Sequence, residues 1–170
     1  MRQTKKIILI GLLAGLGLAL AAVEMMIPMS AAVPGAKIGL ANLVNIIGMV
    51  FISISAGFQI LILRIILSSL LLGTFMTIPF FMSLFGGLAG YLVMAAVFYV
   101  ASEKVSVPGI SVLGAVFHNV GQITTASVIM ATTSIFYYLP YLTLLAVPTG
   151  LGIGLIAVFS LRYLTHNLNS

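Results

Sequence analysis

The sequence contains no cysteine and no aspartate, and glutamate occurs only twice in 170 residues. Without cysteine there are no disulfides, thiolate metal sites or cysteine nucleophiles. Without aspartate there is no aspartate-rich Mg²⁺-diphosphate site, which two isolated glutamates cannot replace. A phosphate-binding G-x-x-x-x-G-K-[ST] loop, a G-x-S-x-G elbow and an H-E-x-x-H pair are also missing. We therefore expect neither an enzyme that acts alone nor a transporter that hydrolyses ATP itself.

Charged residues are scarce, at 5% of the chain, whereas soluble domains carry about 25%. Hydrophobic residues make up 62%, and the mean hydropathy is +1.30. Such a chain cannot cover a soluble surface with polar groups, so we expect a polytopic membrane protein. The net charge of +5 comes from scattered basic residues and does not form the dense patch that nucleic acid requires.

Proline, glycine and polar clusters divide the chain into apolar runs, and helices are expected because an open sheet cannot satisfy its backbone in lipid. The predicted spans cover about residues 7–27, 38–51, 58–72, 80–101, 110–131 and 141–164, with 53–57 as a tight connection. The second is short for a full crossing. The first is longer than the apolar core of a signal peptide, about 7–15 residues, and is read as retained. The prediction is an all-α integral membrane protein, a bundle of about six transmembrane helices forming one domain over residues 1–170.

The distribution of basic residues predicts the orientation, because cytoplasmic loops are enriched in lysine and arginine. With six spans and a cytoplasmic N-terminus, one group of basic residues falls inside: Arg2, Lys5, Lys6, Lys104 and Arg162. Lys37 is then the one basic loop residue outside. We expect a multi-pass protein of the bacterial cytoplasmic membrane with both termini in the cytoplasm.

The first predicted helix carries small residues four apart at Gly11, Gly15 and Ala19, with a second row at Gly17 and Ala21. This spacing places each row along one face of a helix and lets another backbone approach closely. The rows could serve packing within the chain or docking of a separate membrane subunit, and spacing alone does not choose.

Arg64 lies inside a predicted span with apolar neighbours on both sides. A charge at the bilayer centre costs at least about 2.5–3.5 kcal/mol on insertion scales, so Arg64 should face the interior of the bundle or snorkel. It could anchor backbone carbonyls or contact an anionic or carbonyl group of a ligand. Glu24, near the outer end of the first helix, could lie in water or line an outward-facing site.

Amide and imidazole side chains also occur within the predicted spans. His118, Asn119 and Gln122 share one side of the fifth helix, and Asn42 and Asn45 form a similar pair in the second. They could hydrogen-bond between helices, or provide polar points in an apolar cavity, as in small-molecule sites. A metal site is not expected, because His118 has no nearby carboxylate or thiolate to complete a ligand shell.

Two segments, IPMSAAVPGAKIGLANLVNI (27–46) and GAVFHNVGQ (114–122), resemble the bacterial membrane family known as heptaprenyl diphosphate synthase component I, also called Gx transporter. The six predicted helices and the small-residue rows also resemble the substrate-binding S components of energy-coupling factor (ECF) vitamin transporters. The S-component resemblance implies an outward-facing site that maps onto Lys37, Asn42, Asn45 and Tyr137, with His118 and Gln122 as further candidates. It also implies docking on a membrane T component driven by two ATPases, through Gly11, Gly15 and Ala19.

We therefore predict an S-component-like, substrate-binding subunit of an ECF-type uptake transporter for a vitamin-like or isoprenoid-related molecule, with no cofactor and no catalytic residue. The predicted ligand-binding residues are Lys37, Asn42, Asn45, Arg64, His118, Asn119 and Gln122. The alternative, implied by the family's older name, is a non-catalytic membrane partner of a soluble prenyl diphosphate synthase. A secondary carrier acting alone is a weaker third hypothesis, because no inverted repeat is evident.

Overall fold

The computed structural model describes residues 3–26 and 39–168, the last three as backbone only. In these residues the chain is helical and contains no strand. The helices are α1 (Gln3–Met26), α2 (Asn42–Ile47, continued by the π-helix Gly48–Ile52), α3 (Ile54–Leu71), α4 (Ile78–Ala101), α5 (Val107–Ile129) and, after a 3₁₀ turn (Ser134–Tyr138), α6 (Leu139–Leu168). Every one of them except α2 is long and apolar enough to cross a membrane, which supports the predicted membrane bundle.

Serine caps and first-turn prolines set the starts of the helices. The Oγ of Ser53 accepts a hydrogen bond from Ala56 N at 3.1 Å and begins α3, while Ser106 caps α5, which has proline in its first turn. The prediction that residues 53–57 form a connection was wrong. Ser53 alone is extended there, and its cap lets the helix begin at Ile54.

Helix α2 corrects the prediction of a second span over residues 38–51. It has eleven residues and is therefore about 16 Å long at 1.5 Å per residue, about half the thickness of the hydrocarbon core. Its side chains are nevertheless the most enclosed in the bundle, with Val44, Asn45 and Ile46 fully buried. A helix surrounded by other helices is apolar on all sides, which is why its sequence resembled a membrane span.

Contacts along α1 show how the first three helices run. Ile10 belongs to the same buried cluster as Ala56, and Gly17 lies against Arg64, so α1 and α3 are parallel. At the end of α1, Glu24 binds the backbone of Gly39 just before α2. Helix α2 therefore returns antiparallel to α1 and α3.

The remaining helices alternate in direction. Tyr91 of α4 donates a hydrogen bond to Ile54 O at the start of α3, with 2.5 Å between the two oxygens. Gly90 packs on Gly114 of α5, and Gly154 of α6 packs on Pro108. Consequently the two ends of the described chain lie at one end of the bundle, here called the terminal end, and the opposite end is called the distal end. Which end faces the cytoplasm remains a prediction.

Glycines bring α4, α5 and α6 into backbone contact. A Cβ atom on Gly90 would lie 2.5 Å from the carbonyl oxygen of Gly114, and one on Gly121 would lie 2.9 Å from Gly86 Cα. Small residues at helix interfaces are typical of membrane bundles, where close packing replaces the hydrophobic driving force. Large apolar side chains such as Leu12, Leu144 and Phe159 point outward and are more than half exposed, as expected for a surface that faces lipid.

Candidate functional site

A cavity of about 380 Å³ extends from the distal end of the bundle towards its middle, with walls from all six helices. This volume is within the range of about 300–1,000 Å³ that small-molecule sites occupy. Most of the wall is apolar. Its polar and ionisable side chains are Glu24, Asn42, Arg64, Ser68, Ser69, Thr74, Ser83, Ser111, His118, Asn119 and Thr149.

Arg64 lines this cavity from α3, as predicted for a charge that must avoid lipid. Its aliphatic stem rests on α1 at Gly17, where a Cβ atom would lie 2.8 Å from Arg64 Cδ. The Nε atom is buried and has no hydrogen-bond partner in residues 3–26 and 39–168. A buried donor without a partner is costly, at about 1–3 kcal/mol and more when it is charged. The anchoring alternative, in which Arg64 binds backbone carbonyls, therefore finds no support at Nε.

Glu24 lines the cavity from the end of α1. Its Oε1 accepts a hydrogen bond from Gly39 N at 2.6 Å. Gly39 has φ +82°, a conformation that favours glycine, so this contact fixes the entry into α2. Glu24 and Arg64 line the same cavity, but the two side chains do not form an ion pair with an N–O distance of 4.0 Å or less.

The two asparagines of α2 have different positions. Asn42 lines the cavity, and its Nδ2 lies 3.8 Å from Met94 Sδ. Asn45 is fully buried one turn further along and does not line the cavity. Its Nδ2 donates to Asn42 Oδ1 at 3.0 Å, so Asn45 orients the amide of Asn42. Within the described residues, Asn45 Oδ1 accepts no hydrogen bond.

The three polar residues of α5 also differ in whether they line the cavity. His118 and Asn119 line the cavity, and Asn119 Nδ2 donates to Leu142 O on α6 at 2.9 Å. Gln122 is buried at the interface with α4, where a Cβ atom on Gly86 would lie 2.6 Å from its Cγ. It does not line the cavity. The position of Gln122 fits helix packing, which was the alternative reading for this residue.

The S-component resemblance also suggested Lys37 and Tyr137 as site residues. Lys37 lies outside the described residues. Tyr137 is in the 3₁₀ turn before α6, is 82% exposed and does not line the cavity.

The two small-residue rows of α1 face different surroundings. Gly17 is buried against Val44 and Arg64, and Ala21 lines the cavity, so this row packs within the chain. Gly11, Gly15 and Ala19 are exposed, and no atom would lie within 4 Å of a Cβ on either glycine. The second row, Gly17 and Ala21, therefore serves packing within the chain. For the first row, docking of a separate membrane subunit stays a prediction.

Hydroxyl groups of the wall were largely missed by sequence reasoning. Ser68 follows Arg64 by one turn, and its Oγ donates to Arg64 O at 2.7 Å. Thr149 Oγ1 donates to Leu145 O at 2.9 Å. Bonded in this way to their own helix, these hydroxyls keep lone pairs that can accept from a ligand. Serine and threonine are common in membrane helices, so only the spacing of Ser68 from Arg64 gave a signal.

Among the described residues, no group of three or more histidine, cysteine, aspartate or glutamate side chains is placed to hold a metal ion. The arrangement is instead one of opposite charges, amides and hydroxyls spread over an apolar wall. Chemically, this wall can bind and orient a small polar molecule.

Comparison with known proteins gives one match. The family model described as heptaprenyl diphosphate synthase component I matches residues 13–160. That range includes the whole lining of the cavity. No curated protein and no solved structure matches the chain.

Proposed function

The chain belongs to the heptaprenyl diphosphate synthase component I family, and on this premise we propose that it is a non-catalytic membrane subunit that binds a small molecule with an anionic group. The observation that carries the proposal is Arg64. Arg64 lines a cavity of small-molecule size, and its buried Nε has no hydrogen-bond partner among the described residues.

An anion is the group that best compensates the buried positive charge and the unpaired donor of Arg64. The guanidinium presents donors in a fixed planar geometry that matches carboxylate and phosphate oxygens. Keeping a charge at bilayer depth costs several kcal/mol, and hydrogen bonds from a bound anion offset that cost. The hydroxyls of Ser68 and Ser83 and the amide of Asn42 line the same cavity and would orient the rest of the molecule.

A catalytic role is not part of the proposal. The sequence has no aspartate, and Mg²⁺-dependent diphosphate chemistry needs clustered carboxylates. Glu103 is exposed in the loop between α4 and α5, at the terminal end. Glu24 lies at the distal end, so the two carboxylates cannot act on one substrate.

The family description favours a partner that is another component of a prenyl diphosphate synthase. In this version the chain would hold a soluble enzyme at the membrane and bind a molecule related to its reaction. The exposed loop with Glu103 and Lys104 is a contact surface that such a partner could reach.

A second candidate is the S-component-like role with an ECF T component and two ATPases. The exposed row of Gly11, Gly15 and Ala19 favours it, because this row is left unused by packing within the chain. The family description gives no support to these partners, so this candidate ranks below the synthase component.

Affinity purification from the native membranes in mild detergent separates the two candidates, with co-purifying proteins identified by mass spectrometry. A prenyl synthase that is lost from Lys104→Glu but retained by Arg162→Glu would support the first. A T component and ATPases lost from Gly15→Leu would support the second. Gly152→Leu is the matched control, because Gly152 also has open space around its Cβ position.

The binding proposal has its own test. Small molecules released by denaturing the purified protein are compared between wild type and Arg64→Gln by mass spectrometry. We expect at least one molecule with an acidic group to be retained by wild type and strongly depleted from the variant. Equal amounts in both, with both proteins folded, would refute a role of Arg64 in binding.

A further inference from the structure

The cavity contains two opposite charges that do not pair with each other. Arg64 and Glu24 both line it, and they interact electrostatically. In the described part of the chain, however, no lysine or arginine nitrogen lies within 4.0 Å of a carboxylate oxygen.

We infer that the ligand is a small zwitterion, whose acidic group binds Arg64 while its amine lies towards Glu24. This inference rests on the proposed function and narrows its ligand class. A molecule with both charges would give Arg64 and Glu24 each an oppositely charged, hydrogen-bonded partner that is shielded from lipid.

Both side chains are held where they are by backbone contacts. Glu24 Oε1 accepts from Gly39 N, which keeps the carboxylate at the entry to α2. The stem of Arg64 rests on Gly17, with no room for even a methyl group between them. These contacts fix the positions of both charged side chains on the cavity wall.

A diphosphate fits this wall less well than a zwitterion does. Among the described residues of the wall, its several negative charges would meet one guanidinium, the imidazole of His118 and the carboxylate of Glu24. Like charges placed together in a medium of low dielectric repel strongly, and Glu24 would therefore select against polyanions.

The sign of the Glu24→Gln effect distinguishes the two ligand classes. Glutamine removes the charge but keeps a carbonyl oxygen that can accept from Gly39 N, so the entry into α2 is preserved. For a zwitterion, neutralising Glu24 removes an attraction and lowers retention. For a simple acid or a diphosphate, the same change removes a repulsion and raises retention.

The experiment compares wild type, Arg64→Gln and Glu24→Gln, purified from native membranes, by mass spectrometry of the molecules released on denaturation. Gln59→Ala and Arg162→Gln serve as controls, because both positions are exposed towards the terminal end, away from the cavity. We expect one amphoteric molecule that is retained by wild type and both controls and depleted at least tenfold in each cavity variant. Size-exclusion profiles and melting curves establish that all five proteins are folded, and Arg64→Lys replaces Arg64→Gln if the latter does not fold.

Other outcomes overturn the inference. If the retained molecule has no basic group, or if Glu24→Gln holds more of it than wild type, the zwitterion is wrong while the binding function stands. If every molecule released by wild type is also released by Arg64→Gln in equal amount, the zwitterion inference and the proposed binding function are both wrong. A zwitterionic phospholipid depleted from both cavity variants would mean that the site holds a lipid headgroup, not a small solute, and would also overturn the inference. Phospholipid recovered equally from all five proteins belongs to the detergent shell and is subtracted.

Discussion

Gly17 of α1 lies against the Arg64 side chain of α3 so closely that a Cβ atom on Gly17 would be 2.8 Å from Arg64 Cδ. Arg64 is therefore positioned by a residue with no side chain. This relationship connects a small-residue row, which would otherwise concern only helix packing, to the charge that lines the cavity.

Changing Gly17 to Ala should displace Arg64 and reduce ligand retention several-fold. The added methyl group would also meet Val44 Cγ2 at 2.7 Å, and overpacking of this kind costs about 1–3 kcal/mol. We expect a lower melting temperature and less retained ligand than in wild type. Gly15→Ala is the control on the same helix, with nothing near its Cβ position, and should leave both quantities unchanged or slightly raise stability. A Gly17→Ala protein that retains the ligand fully would show that the position of Arg64 does not matter.

Changing Tyr91 to Phe should destabilise the bundle by about 1 kcal/mol, the usual net worth of one hydrogen bond. Tyr91 is 2% exposed, and its hydroxyl donates to Ile54 O, joining α4 to the first turn of α3. Thermal unfolding in detergent, followed by circular dichroism, measures the change. Tyr99→Phe removes a hydroxyl from a side chain that is 81% exposed. This control variant should have the same melting temperature as wild type. Equal melting temperatures of the two variants would mean that the buried hydroxyl of Tyr91 contributes nothing to stability.

Gln122 and Asn42 should behave in opposite ways, although both were predicted to bind ligand. Gln122→Ala removes packing between α4 and α5, so we expect a lower melting temperature with ligand retention close to that of wild type. Asn42→Ala changes the cavity wall and should lower retention several-fold. The measurements are melting curves and mass spectrometry of released molecules on the same preparations. Loss of ligand from a folded Gln122→Ala protein would show that Gln122 takes part in ligand binding.

Changing Gly90 to Ala should destabilise the α4–α5 interface by about 1–3 kcal/mol. The new Cβ atom would lie 2.5 Å from Gly114 O and 3.2 Å from His118 Cβ, and neither helix backbone can yield without moving the other. Gly152→Ala, in open space on α6, is the matched control for the helix-favouring effect of alanine. The difference between the two melting temperatures reports the contact alone, and no difference would show that the helices can separate freely at this point.

The breaks between the helices were largely readable from the sequence. Apolar runs ended near Pro, Gly and polar clusters, and five of the predicted spans correspond to membrane-length helices. The exceptions were α2 and the start of α3. A short helix enclosed by its neighbours has the hydropathy of a membrane span, and Ser53 can end one helix and cap the next with a single residue.

The site was only partly predictable. Arg64 was singled out because a charge in an apolar run is expensive wherever the helix points, and its place on the cavity wall agrees with that argument. The separation of His118 and Asn119 from Gln122 depends on which faces of α5 meet α4 and α6. Helical periodicity places the three on one side, but it does not say where on that side a neighbouring helix ends and a cavity begins.

The sequence alone determined that this protein is a helical membrane protein with no aspartate and very few charges, because hydropathy and composition act on each segment regardless of its neighbours. Tertiary structure decided which row of α1 is buried, that Glu24 and Arg64 share a cavity, and that Gln122 lies outside it. The physical reason is that these facts depend on contacts between residues far apart in the chain. Such contacts follow from how closely glycines let the helices approach, and no local pattern encodes that.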